Sequence, residues 1–355
     1  MTYERDESKP SAVTPKVSII INNYNYAVFL RDAIETALSQ TYHDVEVIVV
    51  DDGSTDNSRD VLSEYADKAI VICQQNRGQG GAINAGFARS SGELILFLDS
   101  DDFLAPDTIE VAVRHWQSGL SKLQFPLAIT NCVGETTGAL NPTGSLPTGD
   151  LVAEILREGS YPCSPTTGNL FDRQYLRNVL PMSAEEWKRG ADGYLVYSAP
   201  FFGRVKSVNE PLAFYRAHSN SATNMAGLKA LDPSRLTKLL GDDDRRLKLL
   251  RELALSRGLT VSDTAVTKTW CHLKLRLAAA KLGHEHPAFE HVSALSLTAR
   301  AVVAACCSRR TNLVAKVIQT AWVLIVSAAP RPWLPVLLTQ GFNAAERPEW
   351  MQRFF

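Results

Sequence analysis

Three carboxylates that lie close together in the sequence could do chemistry. Asp99, Asp101 and Asp102 fall within four residues, directly after the apolar segment 94–98. Carboxylates this close repel one another, so their clustering favours a compensating positive charge. Mg²⁺ or Mn²⁺ would supply it, because hard oxygen ligands suit these ions and the ions in turn bind phosphate oxygens. The alternative is a solvated turn in which Asp102 or Asp107 caps the next helix. A D-x-D pattern is weak alone, but at this position the cation site is favoured.

A second candidate is the glycine-rich segment RGQGGAINAG at 77–86. Gly78 and Gly80 match G-x-G, but Ile83 occupies the third glycine position of a dinucleotide fingerprint, and the segment follows the third strand instead of the first. A dinucleotide site is therefore rejected. A glycine-rich turn with Arg77 near a helix N-terminus still suits a phosphate or a sugar close to the backbone. The alternative is a loop whose glycines allow helix packing.

Asp192 and His218 could also do chemistry, but each is ambiguous when it is taken singly. His218 lies on a polar loop after a predicted strand, and a lone histidine is more often structural than a ligand. The histidines and glutamates at 284–291 resemble a metal cluster only superficially. They lie beside Pro287 in a charged connection, so a solvated loop is favoured there.

The elements that must position these residues alternate between strand and helix. The predicted strands lie at 17–21, 45–50, 69–73 and 93–98, and the predicted helices at 26–40, 58–65 and 80–89. Nearly continuous apolar strands that alternate with helices are typical of a mostly parallel sheet covered on both faces. Ligands of such sheets bind beyond the carboxyl ends of the strands, where the polar clusters lie. Further along, 134–149 is predicted to be a loop and 204–216 a pair of strands.

The charge is balanced over the whole chain but divided unevenly along it. The 355 residues carry a net charge of −1, which gives no overall attraction to nucleic acid. Residues 1–230 hold 19 basic and 28 acidic side chains, whereas residues 231–355 hold 18 and 10. We therefore expect a flexible tail at 1–15, an α/β domain at 16–225 and a basic, mainly helical region at 226–355.

The helical region contains an apolar segment at 312–330. Its charge-free run, 317–330, is shorter than the ~20 residues that span a bilayer. A basic apolar helix followed by Trp333 suits contact with a membrane surface through 312–333, and a helix in the core of the small domain is the alternative. No secretory leader is recognisable in the first fifteen residues, and the six cysteines, which show no C-x-x-C spacing, are expected to be reduced and mostly buried. We expect a cytoplasmic protein, with peripheral attachment at the inner face of the cell membrane if the surface contact forms.

Together these segments resemble the family 2 glycosyltransferases with the GT-A fold, which is Rossmann-like. The resemblance covers about 16–220 and is carried by VSIIINNYN (17–25), SQTYHDVEVIVVDDGSTDNS (39–58), NRGQGGAINAGFARSSGELILFLDSDD (76–102) and, more weakly, TTGNLFDR (166–173) and YRAH (215–218). The combination is far more specific than any single motif.

The resemblance implies five residues that bind the nucleotide of a nucleotide-sugar donor. Asn22, Tyr24 and Asp52 would surround the base and ribose, Arg77 would lie beside the diphosphate, and Asp99 would contact the ribose. The first strand ends in two asparagines where many members have Pro-Thr, which is a tolerable variation.

The resemblance also implies the residues that carry the reaction. Asp101 and His218 would ligate Mn²⁺ or Mg²⁺, and Asp192 would be the catalytic base. Many relatives have Glu-Asp where this chain has Ala191-Asp192, so Glu186, a few residues upstream, remains a minor competitor for the base.

The activity implied is inverting transfer of a sugar, most often from a UDP-sugar, to a hydroxyl of a saccharide or lipid-linked saccharide. Two alternatives stay open: a catalytically inactive relative that binds nucleotide sugars, and a sugar nucleotidyltransferase. The latter would favour a glycine-rich loop with Arg or Lys after the first strand, where this chain has NNYN.

Overall fold

The structure is a computed structural model that describes residues 14–218, 233–260, 269–283, 292–307 and 312–342, without the side chains of 233–235 and 339–342. Almost all of the predicted tail lies outside the described residues. So do the histidines and glutamates at 284–291 and the predicted domain boundary at 225–226.

The described strands form two sheets. In chain order they are β1 (Val17–Asn23), β2 (Val45–Asp51), β3 (Ile70–Cys73), β4 (Leu94–Asp99), β5 (Phe103–Leu104), β6 (Leu120–Gln124), β7 (Leu127–Thr130), β8 (Thr136–Asn141), β9 (Asn169–Asp172), β10 (Arg204–Ser207) and β11 (Ala213–Arg216).

The described helices pack on these sheets and continue beyond them. They are α1 (Ala27–Leu38), α2 (Ser58–Ser63), α3 (Gly78–Arg89), α4 (Thr108–His115), α5 (Val152–Glu158), α6 (Arg173–Val179), α7 (Ala191–Ser198), α8 (Pro233–Ser256), α9 (Trp270–Leu282), α10 (Ala294–Cys307), α11 (Leu313–Ala328) and α12 (Leu334–Phe342).

The central sheet has seven strands in the order β10-β6-β9-β4-β1-β2-β3. Only β9 runs antiparallel to its neighbours β4 and β6, so the sheet is mostly parallel, as predicted. Ile20 and Phe97 pack into the core on one face, and Ile21 and Leu96 pack into the core on the other. Burial on both faces explains why these strands are nearly continuous apolar runs.

A second sheet of four strands, in the order β5-β11-β7-β8, corrects two predictions. The segment 134–149 is not only a loop, because β8 pairs antiparallel with β7. The strands at 204–216 do not pair with each other: β10 joins β6 in the central sheet, and β11 joins β7 and β5 in the small one. β8 is largely exposed, so its backbone pairing left no apolar pattern in the sequence.

The C-terminal part is helical, as expected, and has a core of its own. Leu240, Leu277, Val323 and Leu338 are among the buried residues of this core. None of the described helices is long and apolar enough to cross a membrane. The expectation of mostly buried thiols was wrong: the six cysteines are free, and all but Cys163 are exposed, because most lie near strand ends or on outer helix faces.

The glycines of α3 allow the helix to pack closely against the sheet. A Cβ on Gly86 would overlap Cγ2 of the buried Ile20 and lie 3.3 Å from Cγ2 of Val50. Only hydrogen fits at this contact, so the position of α3 over β1 and β2 depends on this residue.

We therefore expect Gly86→Ala to lower the free energy of unfolding by about 1–3 kcal/mol, because it overpacks the core. Gly193→Ala in α7 is the matched control. Its Cβ would meet nothing nearer than 3.6 Å, so Ala should be neutral or stabilising by up to ~1 kcal/mol. Urea unfolding of both full-length variants would measure the difference, and equal stability of the two would contradict this account of the helix contact.

Candidate active site

The carboxyl ends of β1, β2 and β4 meet at one edge of the central sheet. Asn22 pairs with Asp99 across β1 and β4, and Asn23 pairs with Asp51 across β1 and β2. The Asp52 backbone N–H donates to the Asn23 carbonyl at 2.9 Å. The strand ends therefore bring Asn22, Asp52 and Asp99, three of the predicted nucleotide-binding residues, to one place.

Asp101 and His218 are brought together from positions 117 residues apart. Their Oδ2 and Nε2 atoms are 3.1 Å apart, and the imidazole packs on Phe29 and Tyr26 with ring centroids 4.8 Å and 5.6 Å away. Among the described residues no three His, Cys, Asp or Glu side chains are grouped so that they could hold a metal ion, and Asp101 and His218 are a pair of candidate ligands. Mg²⁺ is commonly held by one or two protein ligands plus substrate phosphates, and the pair fits such an ion.

Arg216 stabilises the turn that contains Asp101. This residue was not identified from the sequence. Its backbone N–H donates to Asp102 Oδ1 (3.2 Å) and its Nε to the Asp101 carbonyl (3.1 Å). Its Nη2 bonds Asp32 of α1 at 2.6 Å, and its guanidinium lies 4.9 Å from the ring centre of Phe29. The motif YRAH contains Arg216, but the sequence gives no sign of partners more than 100 residues away.

Asp102 is an internal anchor and does not cap a helix. Its carboxylate is buried and accepts hydrogen bonds from the Thr167 hydroxyl (2.7 Å) and from the Arg216 backbone. Burial and the charges of Asp101 and Asp99 raise its pKa well above the usual range. Asp107, the other proposed cap, precedes α4 but makes no side-chain capping bond. The capping alternative is therefore wrong.

Asp192 lies in the first turn of α7, close enough for its charge to act on Asp99. Burial and then the charges of Asp101 and Asp192 raise the pKa of Asp99 to about 8. Burial also raises the pKa of Asp192 itself. Glu186 is exposed in the segment ahead of α7, and its charge acts on Tyr194. The structure thus brings Asp192, and not its competitor, to the other carboxylates.

Asn22 carries a side-chain amide with no protein partner among the described residues. Its Nδ2 and Oδ1 atoms are both buried and unbonded. A buried amide without a partner is costly, so it points to a bound group that would satisfy it. Tyr24, just beyond, is 45% exposed at the same strand end, so part of its ring is open to a ligand.

The N-terminus of α3 does not offer its backbone to a phosphate. Asp52 accepts hydrogen bonds from the N–H groups of Arg77 (2.9 Å) and Gly78 (2.7 Å) and from Nε2 of Gln74 (2.7 Å). The N–H groups of Gln79 and Gly80 donate to the carbonyls of Lys188 and Trp187, both at 3.0 Å.

The first backbone donors of α3 are thus already used, so the backbone phosphate site predicted here is wrong. The helix-packing alternative explains the glycines, because a Cβ on Gly78 or Gly80 would collide with residues 187–188. What this segment can still offer to a diphosphate is the exposed side chain of Arg77.

Comparison with known proteins gives the family of this fold. Residues 18–142 match the model described as Glycosyl transferase family 2. An uncharacterized glycosyltransferase of Nostoc sp. is 41% identical over 209 residues, which are 57% of this chain and 65% of that protein. The putative glycosyltransferase EpsH of Bacillus subtilis is 30% identical over 230 residues, 59% of this chain and 62% of EpsH. The chain thus spans somewhat less than two thirds of these relatives.

Two solved structures share the fold. TarS of S. aureus, in complex with UDP-GlcNAc, aligns with a TM-score of 0.52 and 15% identity over 93% of this chain and 90% of that one. The mannosyltransferase PcManGT of Pyrobaculum calidifontis, in complex with GDP-Man and Mn²⁺, aligns with a TM-score of 0.51 and 16% identity over 93% and 85%. The family match, the relatives and the mostly parallel sheet show that this chain contains a family 2 glycosyltransferase domain with the GT-A fold.

Proposed function

We propose that the chain is an inverting glycosyltransferase. It transfers a sugar from a nucleotide-diphosphate sugar, with a UDP-sugar as the first choice, to an acceptor hydroxyl in polysaccharide or glycoconjugate biosynthesis. One observation carries the proposal: at the end of β4, Asp101 lies 3.1 Å from His218, the charges of Asp101 and Asp192 act on Asp99, and Asp99 pairs with Asn22, whose amide has no partner among the described residues. The UDP-GlcNAc and GDP-Man complexes of proteins with this fold support the donor class.

The nucleotide is held at the ends of β1, β2 and β4. The Asn22 amide gains its missing partners from the base or ribose, and the Tyr24 ring covers the base. A carboxylate has about four acceptor sites, and Asp52 uses three, which leaves one for an N–H of the base. Asp99 contacts the ribose, and Arg77 lies beside the diphosphate.

Asp101 and His218 would hold the divalent cation, Mn²⁺ or Mg²⁺, beside the diphosphate of the donor. When bound, the ion neutralises the charge that develops on the departing diphosphate. The chain fixes both ligands in advance, because Arg216 holds the Asp101 turn and Phe29 holds the His218 ring. The Mn²⁺ complex of the mannosyltransferase supports the choice of ion.

Asp192 acts as the general base. Its carboxylate accepts the proton of the acceptor hydroxyl while the hydroxyl oxygen attacks the anomeric carbon from the side opposite the diphosphate. One displacement of this kind inverts the anomeric configuration. Burial moves the pKa of Asp192 upward toward neutral pH, which makes a carboxylate a better base.

The acceptor is a saccharide or a lipid-linked saccharide, and we place the enzyme in the cytoplasm, at the inner face of the membrane through contact by residues 312–333. Of the alternatives, a sugar nucleotidyltransferase is disfavoured because β1 is followed by residues 22–25, which hold no Gly, Arg or Lys. An inactive relative would bind a nucleotide sugar but would not turn it over.

The first test is a panel of nucleotide sugars incubated with Mn²⁺ or Mg²⁺, and with EDTA. We expect one donor to release nucleoside diphosphate only when the cation is present, because the leaving group needs that charge. If no release is detected, binding of UDP and GDP is measured by calorimetry with and without the cation. Lack of both release and cation-dependent binding would refute the transferase assignment.

Asp192→Asn should lower turnover by at least about 10²-fold, because the amide cannot take the proton. The dissociation constant of the donor should stay within a few-fold of the wild-type value, since Asp192 does not hold the nucleotide. Glu186→Gln is the control and should keep its turnover. Wild-type turnover in Asp192→Asn would show that the base lies elsewhere.

Asp101→Ala should abolish the cation dependence of nucleotide binding, because it removes one of the two protein ligands. Isothermal titration of UDP or GDP with Mn²⁺ and with EDTA measures this effect. Asp107→Ala is the matched control, because that side chain makes no capping bond and lies outside the site. Cation-dependent binding that survives in Asp101→Ala would contradict the ligand assignment.

A further inference from the structure

Helix α11 has two apolar faces, of which only one is used by the fold. Ala315, Trp322, Val323 and Val326 are buried, and the last three belong to the C-terminal core. The opposite face covers about 120° of the helix, taking 3.6 residues per turn. Its exposed residues are Leu313, Val314, Val317, Ala321, Leu324 and Ile325. No polar side chain interrupts this face. The sequence left two alternatives for this helix, a core helix and a helix that contacts a membrane surface. One face of α11 is packed in the core, and the other is apolar and exposed.

The neighbouring elements extend the exposed face on both sides. Cys306 of α10 lies 3.6 Å (Sγ to Oγ1) from Thr320 of α11, so the end of α10 flanks the helix. On the other side the Trp322 indole N–H donates to the Leu337 carbonyl of α12 at 2.9 Å. Exposed apolar residues continue on these flanks, at Leu295 and Val303 of α10 and at Trp333 and Val336 near α12. We call this surface the α10–α12 outer face.

Exposed apolar residues are concentrated on this face. Nine of the fifteen large apolar side chains that are exposed in the described chain belong to 292–342. Scattered apolar residues are ordinary on a protein surface, whereas a contiguous apolar patch marks a partner.

The sequence that builds this face carries charge of one sign. Residues 292–342 contain five Lys or Arg and no Asp or Glu. Arg300 on α10 and Arg331 before α12 are both exposed. A partner that complements such a surface has an apolar interior and a negatively charged outer layer. An anionic lipid bilayer has this composition, with acyl chains below its phosphate headgroups.

A second copy of the chain fits the same face less well. A two-fold interface would place the face against itself, and its cations would meet cations with no carboxylate from 292–342 to pair with them. Insertion across the bilayer does not fit either. The 16 residues of α11 extend about 24 Å, less than the ~30 Å hydrocarbon core, and one of its faces is already packed.

We propose that the α10–α12 outer face docks on an anionic membrane surface, with α11 lying parallel to the bilayer plane and Trp333 at the level of the headgroups. Arg300 and Arg331 lie at the edges of the face and pair with lipid phosphates. Docking of this kind is shallow and reversible. The inference does not depend on the proposed transferase activity, because lipid binding is measured without a sugar donor.

Co-sedimentation of the full-length protein with vesicles tests the proposal. One set is phosphatidylcholine alone, and the other contains about 30 mol% phosphatidylglycerol, which gives an anionic surface. We expect the protein to sediment with the anionic vesicles and to be released as salt is raised, because the charge attraction is screened. A protein that stays in the supernatant with both sets would overturn the proposal.

Variants of exposed residues locate the contact. Leu324→Glu places a negative charge on the outer face and should weaken binding to anionic vesicles at least about tenfold, because an apolar contact is lost and a repulsion is added. Leu255→Glu on α8 is the matched control, since Leu255 is 74% exposed and lies off this face, and it should bind as the wild type does. An equal loss of vesicle binding in both variants would refute the placement of the contact on the α10–α12 outer face.

A charge variant tests the electrostatic part separately. Arg300→Gln with Arg331→Gln should weaken binding on the order of 30-fold, because each cation near an anionic surface contributes a similar increment. Unchanged binding would contradict the pairing with lipid phosphates. Light scattering without vesicles measures the oligomeric state and so tests whether a second copy of the chain occupies this face. A stable dimer that Leu324→Glu dissociates, but Leu255→Glu does not, would assign the face to a second copy instead.

Discussion

Negative charge gathered at the end of β4 is the constraint on which the site depends. Asp99 and Asp102 lose much of their hydration, and the charges of Asp101 and Asp192 both act on Asp99. Desolvation and mutual repulsion both disfavour the ionised forms. Protein hydrogen bonds from Thr167 and Arg216 satisfy Asp102, whereas Asp101 contacts the His218 imidazole at 3.1 Å and Asp99 is bonded by the side chain of Thr166. Under the proposed function, this arrangement is electrostatic preorganisation, because the carboxylates that would attract a cation are in place before the donor binds.

The four-stranded sheet positions Arg216 and His218 beside Asp101. β11 runs parallel to β7 and pairs with β5, the two-residue strand that follows the aspartates. This pairing holds Arg216 against the Asp101 turn and delivers His218 to it two residues later. The guanidinium also reaches Asp32 on α1 and the carbonyl of Cys132, so a single side chain joins parts of the chain that are far apart in sequence. Two side chains fixed in this way would lose little conformational entropy on binding the proposed ion.

The sequence predicted the strands that are buried on both faces. It did not predict strands that pair through their backbones but carry no apolar pattern. Strands buried on both faces are apolar runs, and the polar clusters after them marked the site, so β1 to β4 and the residues at their ends could be predicted. β6 could not, because its interior includes Lys122, whose Nζ donates to Gln124 and Asn169 at 2.8 Å each, and burial lowers its pKa to about 7. A lysine in a buried strand contradicts the pattern on which prediction rests. The backbone donors of α3 were misassigned for a related reason: their acceptors, at 187 and 188, are about 100 residues away.

Helix α8 belongs to both cores of the molecule. Leu250 and Ala254 pack with residues of α7, the helix that begins with Asp192, while Leu236 and Leu240 pack in the C-terminal core. Arg246 lies 5.3 Å from the ring centre of Tyr197 on α7 and bonds Asp243, which in turn contacts the buried His272 of α9. The two parts therefore cannot be exchanged as independent modules during evolution. A recombination event that joined this α/β domain to a different C-terminal region would have to retain α8, because the α/β core would otherwise lose Leu250 and Ala254.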